Sequence, residues 1–545
     1  MKMPIWNRVN RRRRDTARRL VAAGRCVAAL LCAALAFFGG CTPQIPPQDI
    51  MEIAPMPGLT ATPAPGQSEA PAQTDANAQA AALDAQVLFL NVGKADSALV
   101  RLGEKCFLVD AGTKDGAPEL VARLSALGVT ELEGMFLTHG HKDHIGGVEA
   151  VCRAIPTKRL YRSDIAGPES EKLVELSAKT GVGETLLPAG TTLEPVPGAR
   201  IEILGPVAYY AEDENDNSLV MRLMVNQHTV LFAGDMQFAE EQSLLGAGAD
   251  VSATVLKVGN HGNPDATSAE FARAVCAQVA VISTDTFRDE DSANPRVLRE
   301  LNAAFGGAEV HITQADPYGI LVRLDPTGPV AQGAAPPMEE RAAELMNAER
   351  TRLVNRQNPV GEAFEPENLK KAEKLDIPNL TLKKDSIKAD EEALYALRAM
   401  MTAAGAEGVT GFYLVSAYRT YEEQLGLWQN KLAGDPSYGE DESVPVSTAY
   451  PGASEHQTGL AFDVTAVDAK ALSSAFAQTP QGKWLGENCA RFGFVLRYPE
   501  GKEAVTGIVF EPWHLRFVGL EMAAYLFERG LTMEEFYQNF LKTGG

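Results

Sequence analysis

Thr138-His139-Gly140-His141-Lys142-Asp143-His144 brings three imidazoles and a carboxylate together in a chain with only eight histidines. Neutral imidazole and carboxylate suit zinc, iron or manganese. A second constellation is spread over SAYRTYEEQ (416–424), SEHQTGLAFD (454–463) and EPWHLRF (511–517). A catalytic zinc needs three protein ligands and one open position, and His456, Asp463 and His514 can supply them. His456 and Asp463 are seven residues apart, an odd offset that would put them on opposite faces of one regular strand. The Thr458-Gly459 pair is where the chain can turn between them. Glu511 precedes His514 by three residues, and Pro512 between them disfavours a helix. Both should therefore project from a strand end, with Glu511 as candidate general base.

Alternating strands and helices must position the first cluster. QVLFLNV (86–92), SALVRL (97–102) and CFLVDAG (106–112) have the composition of strands. APELVARLSALG (117–128) has helical apolar spacing and ends in glycine, and GMFLTHG (134–140) is a strand running into the histidine loop. LVMRLMV (219–225), HTVLFAGD (228–235) and ATVLKVG (253–259) repeat the strand pattern. In the second half, EEALYALRAMMTAAG (391–405) and RFVGLEMAAYLFERG (516–530) are expected helices. GFYLVSAY (411–418), LAFDVTA (460–466) and TGIVFE (506–511) are expected strands.

The 545 residues carry 50 Lys+Arg against 71 Asp+Glu, for a formal net charge of -21. So acidic a surface argues against tight non-specific nucleic-acid binding, although a local basic groove is compatible with it. Residues 8–25 are Arg-rich, VAALLCAALAFF (27–38) is apolar, and Gly39, Gly40 and Cys41 follow. This is the pattern of an export signal. Residues 1–40 are thus expected to be an address and 41–83, rich in Pro, Ala, Gln and Thr, a disordered tether. A second Pro/Gly/Ala-rich break at 326–337 separates a domain at 84–326 from one at 345–545, with 327–344 as linker and a helix expected over 338–354. Cys106, Cys152, Cys276 and Cys489 are scattered. They read as buried free thiols, with one disulfide as the alternative.

FLNVGKADSALV (89–100), VDAG (109–112), the histidine loop, DNSLVMRL (216–223), LFAGDM (231–236) and KVGNHGN (257–263) occur in the order found in the metallo-β-lactamase superfamily. They most resemble the hydrolase domain of ComEC-type DNA-uptake channels. The resemblance covers about 84–326 and implies an αββα sandwich with one or two divalent metals. His139 and His141 would hold one metal and Asp143 with His144 the other. Asp235 would bridge them, and His261 is a further candidate. Two departures stand out: NDNSLV (215–220) lacks the additional histidine of many members, and Asn260 occupies a histidine position of the ComEC-like branch. His228 and His311 are expected to be structural.

The fragments of the second half resemble VanY-type D-Ala-D-Ala carboxypeptidases over about 345–545. This implies an α+β peptidase domain with one zinc on His456, Asp463 and His514, and Glu511 as base. Arg419 would bind the substrate carboxylate, which a guanidinium does bidentately. Gln424 and Ser454 would hydrogen-bond the peptide, and Trp513 would wall the pocket. The small residues before Cys41 resemble a lipoprotein signal, in which that cysteine is lipidated; an uncleaved signal anchor is the alternative.

The sequence therefore describes an exported, membrane-tethered, two-domain metallohydrolase. Its C-terminal domain would trim peptidoglycan stem peptides at the outer face of the cytoplasmic membrane. Its N-terminal domain would be a hydrolase of unassigned substrate, with nucleic acid or another phosphodiester among the candidates. Two alternatives have different centres of gravity. One is a nuclease or phosphodiesterase that uses the peptidase domain to find the wall. The other is a non-catalytic envelope-binding protein.

Overall fold

The computed structural model describes residues 82–165, 167–305 and 309–543. The expected export signal, Cys41 and nearly all of the tether lie outside the described residues. Among the described residues no helix is long and apolar enough to cross a membrane. Their four cysteines are all free, with Cys106 and Cys489 buried and Cys276 exposed.

The strands of the first domain are β1 (Ala85–Leu90), β2 (Ala98–Leu102), β3 (Lys105–Val109), β4 (Gly134–Phe136), β5 (Leu160–Ser163), β6 (Glu184–Leu187), β7 (Thr192–Val196), β8 (Ala199–Gly205), β9 (Val220–Val225), β10 (His228–Phe232), β11 (Val255–Lys257), β12 (Val279–Ile282), β13 (Glu309–Ile312), β14 (Gly319–Asp325) and β15 (Gly328–Gly333). They form an 8-stranded sheet ordered β15-β14-β1-β2-β3-β4-β5-β6 and a 7-stranded sheet ordered β13-β12-β11-β10-β9-β8-β7. Side chains alternate along each strand, so one face of each sheet meets the other sheet. Val87, Phe89, Phe107 and Phe136 thus share a core with Leu223, Val230, Phe232 and Val281. The outer faces are equally apolar because helices cover them. Leu88, Leu90 and Leu108 pack with Leu120, Leu124 and Val151 on one side, and Leu231 and Leu256 with Leu244, Phe271 and Leu301 on the other. This is the helix-sheet-sheet-helix sandwich expected from the sequence.

Strands β3 to β6 run parallel, as do β10 to β13. Loops leaving the carboxyl ends of parallel strands are where such sheets place their ligands. The histidine loop leaves β4, Asp110 follows β3, Asp235 follows β10 and His261 follows β11.

In the second domain, β16 (Leu369–Lys371) pairs with β18 (Lys388–Asp390), and β17 (Leu380–Leu382), β19 (Phe412–Ser416), β20 (Ala461–Ala466), β21 (Phe494–Tyr498) and β22 (Glu511–Phe517) form a sheet ordered β17-β19-β20-β22-β21. The helix Glu391–Ala406, capped by the Asp390 carboxylate, buries Leu394, Leu397 and Met401 in the same core as Phe412, Phe462 and Leu515. This is an α+β domain.

Four expectations about elements change. The segment at 327–344 is not simply a linker: Gly328–Gly333 pairs with β14, and Pro329 is accommodated because β15 is an edge strand. The helix after it spans Met338–Asn347 and packs with Leu353 and Met522 of the second domain. TGIVFE is not a strand. Gly507, at φ 72, closes a short helix, and Ile508 makes only an isolated bridge to Val446 before β22 begins at Glu511. The last segment divides at Gly519, with strand through Phe517 and helix over Leu520–Arg529.

The N-terminal sandwich carries a pH-dependent element. Glu240, fully buried, accepts from the Val207 N–H at 2.9 Å and the Tyr210 hydroxyl at 2.8 Å, and burial pushes its pKa up to about 7. A carboxyl raised above its unfolded value contributes stability that is full below about 4.5 and is lost as pH rises through about 7. Glu240→Gln keeps the bond from Val207, lets the amide donate to the Tyr210 oxygen in place of accepting from it, and removes the titration. Urea unfolding of the first domain should therefore become less pH-dependent between pH 5 and 7 in this variant, by up to about 1.4 kcal/mol per pH unit. Parallel pH profiles of the two proteins would exclude the assignment.

Candidate metal centres

Three adjacent strands build the C-terminal centre. Ser416, Asp463 and His514 are register partners across β19, β20 and β22. Directly opposed residues share a face of the sheet, so the carboxylate and the imidazole meet without any loop. His456 comes from the 3-10 turn Glu455–Thr458, which Gly459 ends at φ 75. A side chain at Gly459 would also crowd Leu369 at 2.8 Å. The left-handed turn brings His456 back over Asp463, as the Thr458-Gly459 pair suggested. His456 Nε2 lies 3.2 Å from Asp463 Oδ2, and His514 Nδ1 lies 3.3 Å from Asp463 Oδ1. The three residues are buried, with ligand atoms within 4.8 Å of one another.

Glu511 reaches the same point through an irregularity. The register against β21 shifts between Leu496 and Tyr498, so β22 carries extra residues there. That bulge lets Glu511 and His514 converge despite their odd offset, and it accommodates Pro512 inside a strand. Glu511 Oε2 lies 3.6 Å from His514 Nδ1. Burial pushes the Glu511 carboxyl up to about 7, with Asp463 adding to the rise and His514 and Arg419 opposing it.

Arg419 sits at the rim. It donates to Gln424 Oε1 at 2.6 Å and Ser416 Oγ at 3.2 Å, and lies 3.7 Å from Asp463. Gln424 is held by the helix Tyr421–Gly434, which starts with a Thr420/Glu423 capping box, and it donates to the Ala449 carbonyl at 2.6 Å. Both ends of the Gln424 amide are thus engaged. It is buried and orients Arg419, a role beyond the peptide contact the sequence suggested. Trp513 also moves from its expected role: it shares the core-facing side of β22 with Leu515 and Phe517 and belongs to the hydrophobic core. Ser454 is buried at the start of the His456 turn.

A layer behind the ligands was missed. His456 Nδ1 donates to the Ala417 carbonyl at 2.6 Å, which leaves Nε2 free for a metal. His514 Nε2 faces Glu455 Oε2 at 3.6 Å. Glu455 accepts from Arg497 Nε at 2.7 Å and pairs with Arg516 at 3.1 Å, and Arg497 grips Glu534 at 2.6 and 2.8 Å. Burial alone would discourage ionisation of Glu455, but the two guanidiniums outweigh it and hold the carboxyl well below the usual range. The only sequence signal was the adjacency of Glu455 to His456.

In the N-terminal centre, Asp235 Oδ2 lies 3.2 Å from His144 Nε2, 3.3 Å from His261 Nε2 and 4.0 Å from His139 Nε2. His261 Nε2 is also 3.7 Å from Asp143, and His141 Nδ1 is 2.9 Å from His139 Nε2. The expected residues are therefore together. Each inner imidazole is held by its other nitrogen: His144 Nδ1 on Asp110 at 2.8 Å, His261 Nδ1 on the Ser283 carbonyl at 2.8 Å, and His139 Nδ1 beside the Thr138 hydroxyl at 3.1 Å. Such anchoring orients metal-binding histidines. Gly234, at φ 54, keeps the chain before Asp235 clear of Ser218. His228 and His311 lie apart, bonded to Asp325 and Glu309.

Asn260 does not weaken this cluster in the way its substitution implied. Its amide donates to Asp265 at 2.9 Å, while His261, at φ 53, is turned into the centre. Asp96, Asp110 and Lys257 are the residues that sequence reasoning missed. Lys257 is buried, pairs with Asp96, and donates to the Gly234 carbonyl at 3.0 Å. Its place in KVGNHGN, one strand residue ahead of the loop, was the available signal.

Both donor sets fit divalent cations. Asp96 Oδ1, Asp235 Oδ1, His144 Nε2 and His261 Nε2 are buried in the first centre without hydrogen-bond partners, and the three ligand residues of the second converge within 4.8 Å. Buried polar atoms are rarely left unpartnered. Burial disfavours protonation of His144 and His261, yet Asp235 and its neighbours overcome this and raise both, His261 to about 10. The pocket's field calls for positive charge.

Residues 386–520 match the family model for D-alanyl-D-alanine carboxypeptidase, VanY, and residues 90–283 that for the metallo-beta-lactamase superfamily. The chain is 36% identical over 191 residues to a D-alanyl-D-alanine carboxypeptidase of Enterococcus faecalis, covering 34% of this chain and 64% of that protein. It is 36% identical over 133 residues to the bifunctional D-Ala-D-Ala dipeptidase and D-Ala-D-Ala carboxypeptidase VanXYC of Enterococcus gallinarum, covering 24% and 68%. It is also 29% identical over 188 residues to ComE operon protein 3 of Bacillus subtilis, covering 34% and 24%. The chain spans between 52% and 64% of the length of the first three carboxypeptidase relatives.

The two centres should separate in metal analysis of the full chain. His514→Ala should lose one metal equivalent, and His261→Ala should lose metal from the other domain. Asn260→His should leave the metal content unchanged, because position 260 faces Asp265. An additional equivalent in Asn260→His would show that position 260 does reach the centre.

Proposed function

With its C-terminal domain the chain belongs to the VanY family, and from that premise we propose that it is a zinc D-alanyl-D-alanine carboxypeptidase acting on peptidoglycan stem peptides. The observation that carries this reading is the convergence of Glu511 and Arg419 on the His456, Asp463, His514 triad from opposite sides. A zinc ion held there supplies Lewis acidity toward a peptide carbonyl and acidifies a neighbouring water. The chain's own groups do the rest. Glu511, its pKa pushed up to about 7, is placed to take a proton from water and return it to the departing D-alanine amine. Arg419, oriented by Gln424 and Ser416, meets the terminal carboxylate. Ala417 and Glu455 face the opposite nitrogens of His456 and His514, which turns their ligand nitrogens toward Asp463.

The N-terminal domain has the metallo-β-lactamase fold, and its centre suits hydrolysis of a phosphodiester or an acyl bond. Two cations beside Asp235 would clamp the oxygens of such a substrate. The reading also places the protein outside the cytoplasmic membrane, tethered through a lipidated Cys41.

Release of D-alanine from a stem pentapeptide tests the main assignment. Glu511→Ala should keep its zinc and lose turnover by about 10²–10⁴-fold. Arg419→Ala should chiefly raise KM for free-acid peptides, and the wild type should cleave an amidated peptide poorly. Full activity in Glu511→Ala, or equal cleavage of both peptide forms by the wild type, would sink the carboxypeptidase assignment. For the N-terminal domain, Asp235→Ala should abolish any metal-dependent phosphodiesterase activity while leaving D-alanine release intact. For the tether, Cys41→Ser should release or misprocess the protein, whereas unchanged membrane retention and gel mobility would favour an uncleaved anchor.

A further inference from the structure

A cavity of about 420 Å³ opens on the second domain, and no residue of either metal centre lines it. Its wall combines Lys370, Lys371, Lys374 and Lys388 with Leu369, Leu375 and the ring of Tyr395. The concentration is unusual for this chain. Six lysines lie between 370 and 388 against Glu373, Asp376 and Asp385, in a protein of net charge -21.

The lysines of the cavity are exposed, and among the described residues none of the four forms an ion pair. Lys371 and Lys388 are also direct register partners across β16 and β18. Like charges opposed in this way, with Cα atoms about 4.5–5.5 Å apart, destabilise a strand pair. A two-stranded sheet has few ladder bonds to offset that cost, and an anion bound beside the two lysines would relieve it. Arg398, which also lines the cavity, is already engaged by Glu290 at 3.1 Å and the Phe287 carbonyl at 3.1 Å. With Glu391 the one carboxylate on the wall, the uncompensated charge is that of three cations.

We propose that this cavity binds a diphosphate ester, two linked phosphates carried by an apolar group. A terminal phosphate carries about 1.5 to 2 negative charges, and with an inner one the ligand brings roughly the charge the four lysines and Glu391 leave open. Leu369 and Leu375 give the apolar group a surface to cover, which a bare polyol phosphate would not use. The volume is that of a small-molecule site, in the range of about 300–1,000 Å³. Two sources share this chemistry, a nucleoside diphosphate and the headgroup of a prenyl diphosphate lipid.

The test is calorimetric titration of the full chain, in the Asp235→Ala background so that turnover is not mistaken for binding. The probes are inorganic pyrophosphate, ADP, farnesyl diphosphate and a single-stranded 12-mer DNA. At least one diphosphate ester should bind more tightly than pyrophosphate, and its affinity should fall with added salt. The tighter of ADP and farnesyl diphosphate identifies the source. Lys371→Ala combined with Lys388→Ala should weaken that binding at least tenfold and leave D-alanine release unchanged. The unliganded double variant should also melt no lower than the parent, since it has lost a repulsion. Three results would overturn the proposal: no binding of any diphosphate, equal binding by the double variant, or binding of the oligonucleotide alone.

Discussion

A carboxylate sealed from water must be met by cations, and Glu455 is met by two guanidiniums and one imidazole. Everything at the C-terminal centre is arranged around that requirement. Glu455 stands immediately before His456 in the turn, so the arginines that hold it also fix where His456 begins. Its second oxygen faces His514 Nε2, which leaves Nδ1 toward Asp463 and Glu511. Arg497 carries the connection outward to Glu534 on the C-terminal helix Met533–Thr543, and Arg516 carries it to the backbone carbonyls of Arg350 and Arg352. Segments far apart in the chain are thereby tied to one ring orientation. Removing one member of such a network leaves a buried charge unpaired, at a cost of about 3–5 kcal/mol.

The N-terminal centre answers the same electrostatic problem with less chain. Asp110 does for His144 what Glu455 does for His514, and the Thr138 N–H and hydroxyl hold Asp110 in turn at 2.9 and 2.7 Å. Lys257 supplies a fixed positive charge beside Asp96 and Asp235 where the other domain uses arginines. The backbone is bent to suit. Asp110, Asn260 and His261 all adopt positive φ, an arrangement that L-residues accept at some cost and that clusters at functional sites.

The difference between the two scaffolds explains what the sequence revealed. The first centre is made of loops leaving strand ends, so its ligands sit together in short motifs and its strands were recognisable as continuous apolar runs. The second centre is made inside a sheet, from residues on three strands and a turn, and only the spacing within each fragment hinted at it. Gln424 and Trp513 show the limit of that approach. Their roles follow from what their neighbours occupy, Arg419 and Ala449 for one and the core face of β22 for the other. Glu455 and Arg516 stand inside the quoted fragments and Arg497 outside them, but nothing in their spacing marks them as a supporting layer, because a supporting charge can come from any strand that passes behind the ligands. Strand β15 was missed for a different reason: an edge strand needs only one partner, and glycine and proline do not prevent that.

Bulges account for the remaining step from sheet to site. A regular sheet presents every second residue of each strand to one face, which would give Asp463 and His514 but not Glu511. The register shift between β21 and β22 removes that restriction, and another between Leu414 and Ser416 on β19 brings Ser416 opposite Asp463, where it holds Arg419. Base and carboxylate-binding group thus reach the ligands from the two neighbouring irregularities, while Asp463 and His514 stay paired on the ladder between β20 and β22. The stiff pairing of β20 with β22 sets the metal geometry, and the distorted strands flanking it set what can be done to a peptide bound beside it. A change confined to the bulges would therefore alter the handling of substrate before it altered the affinity for metal.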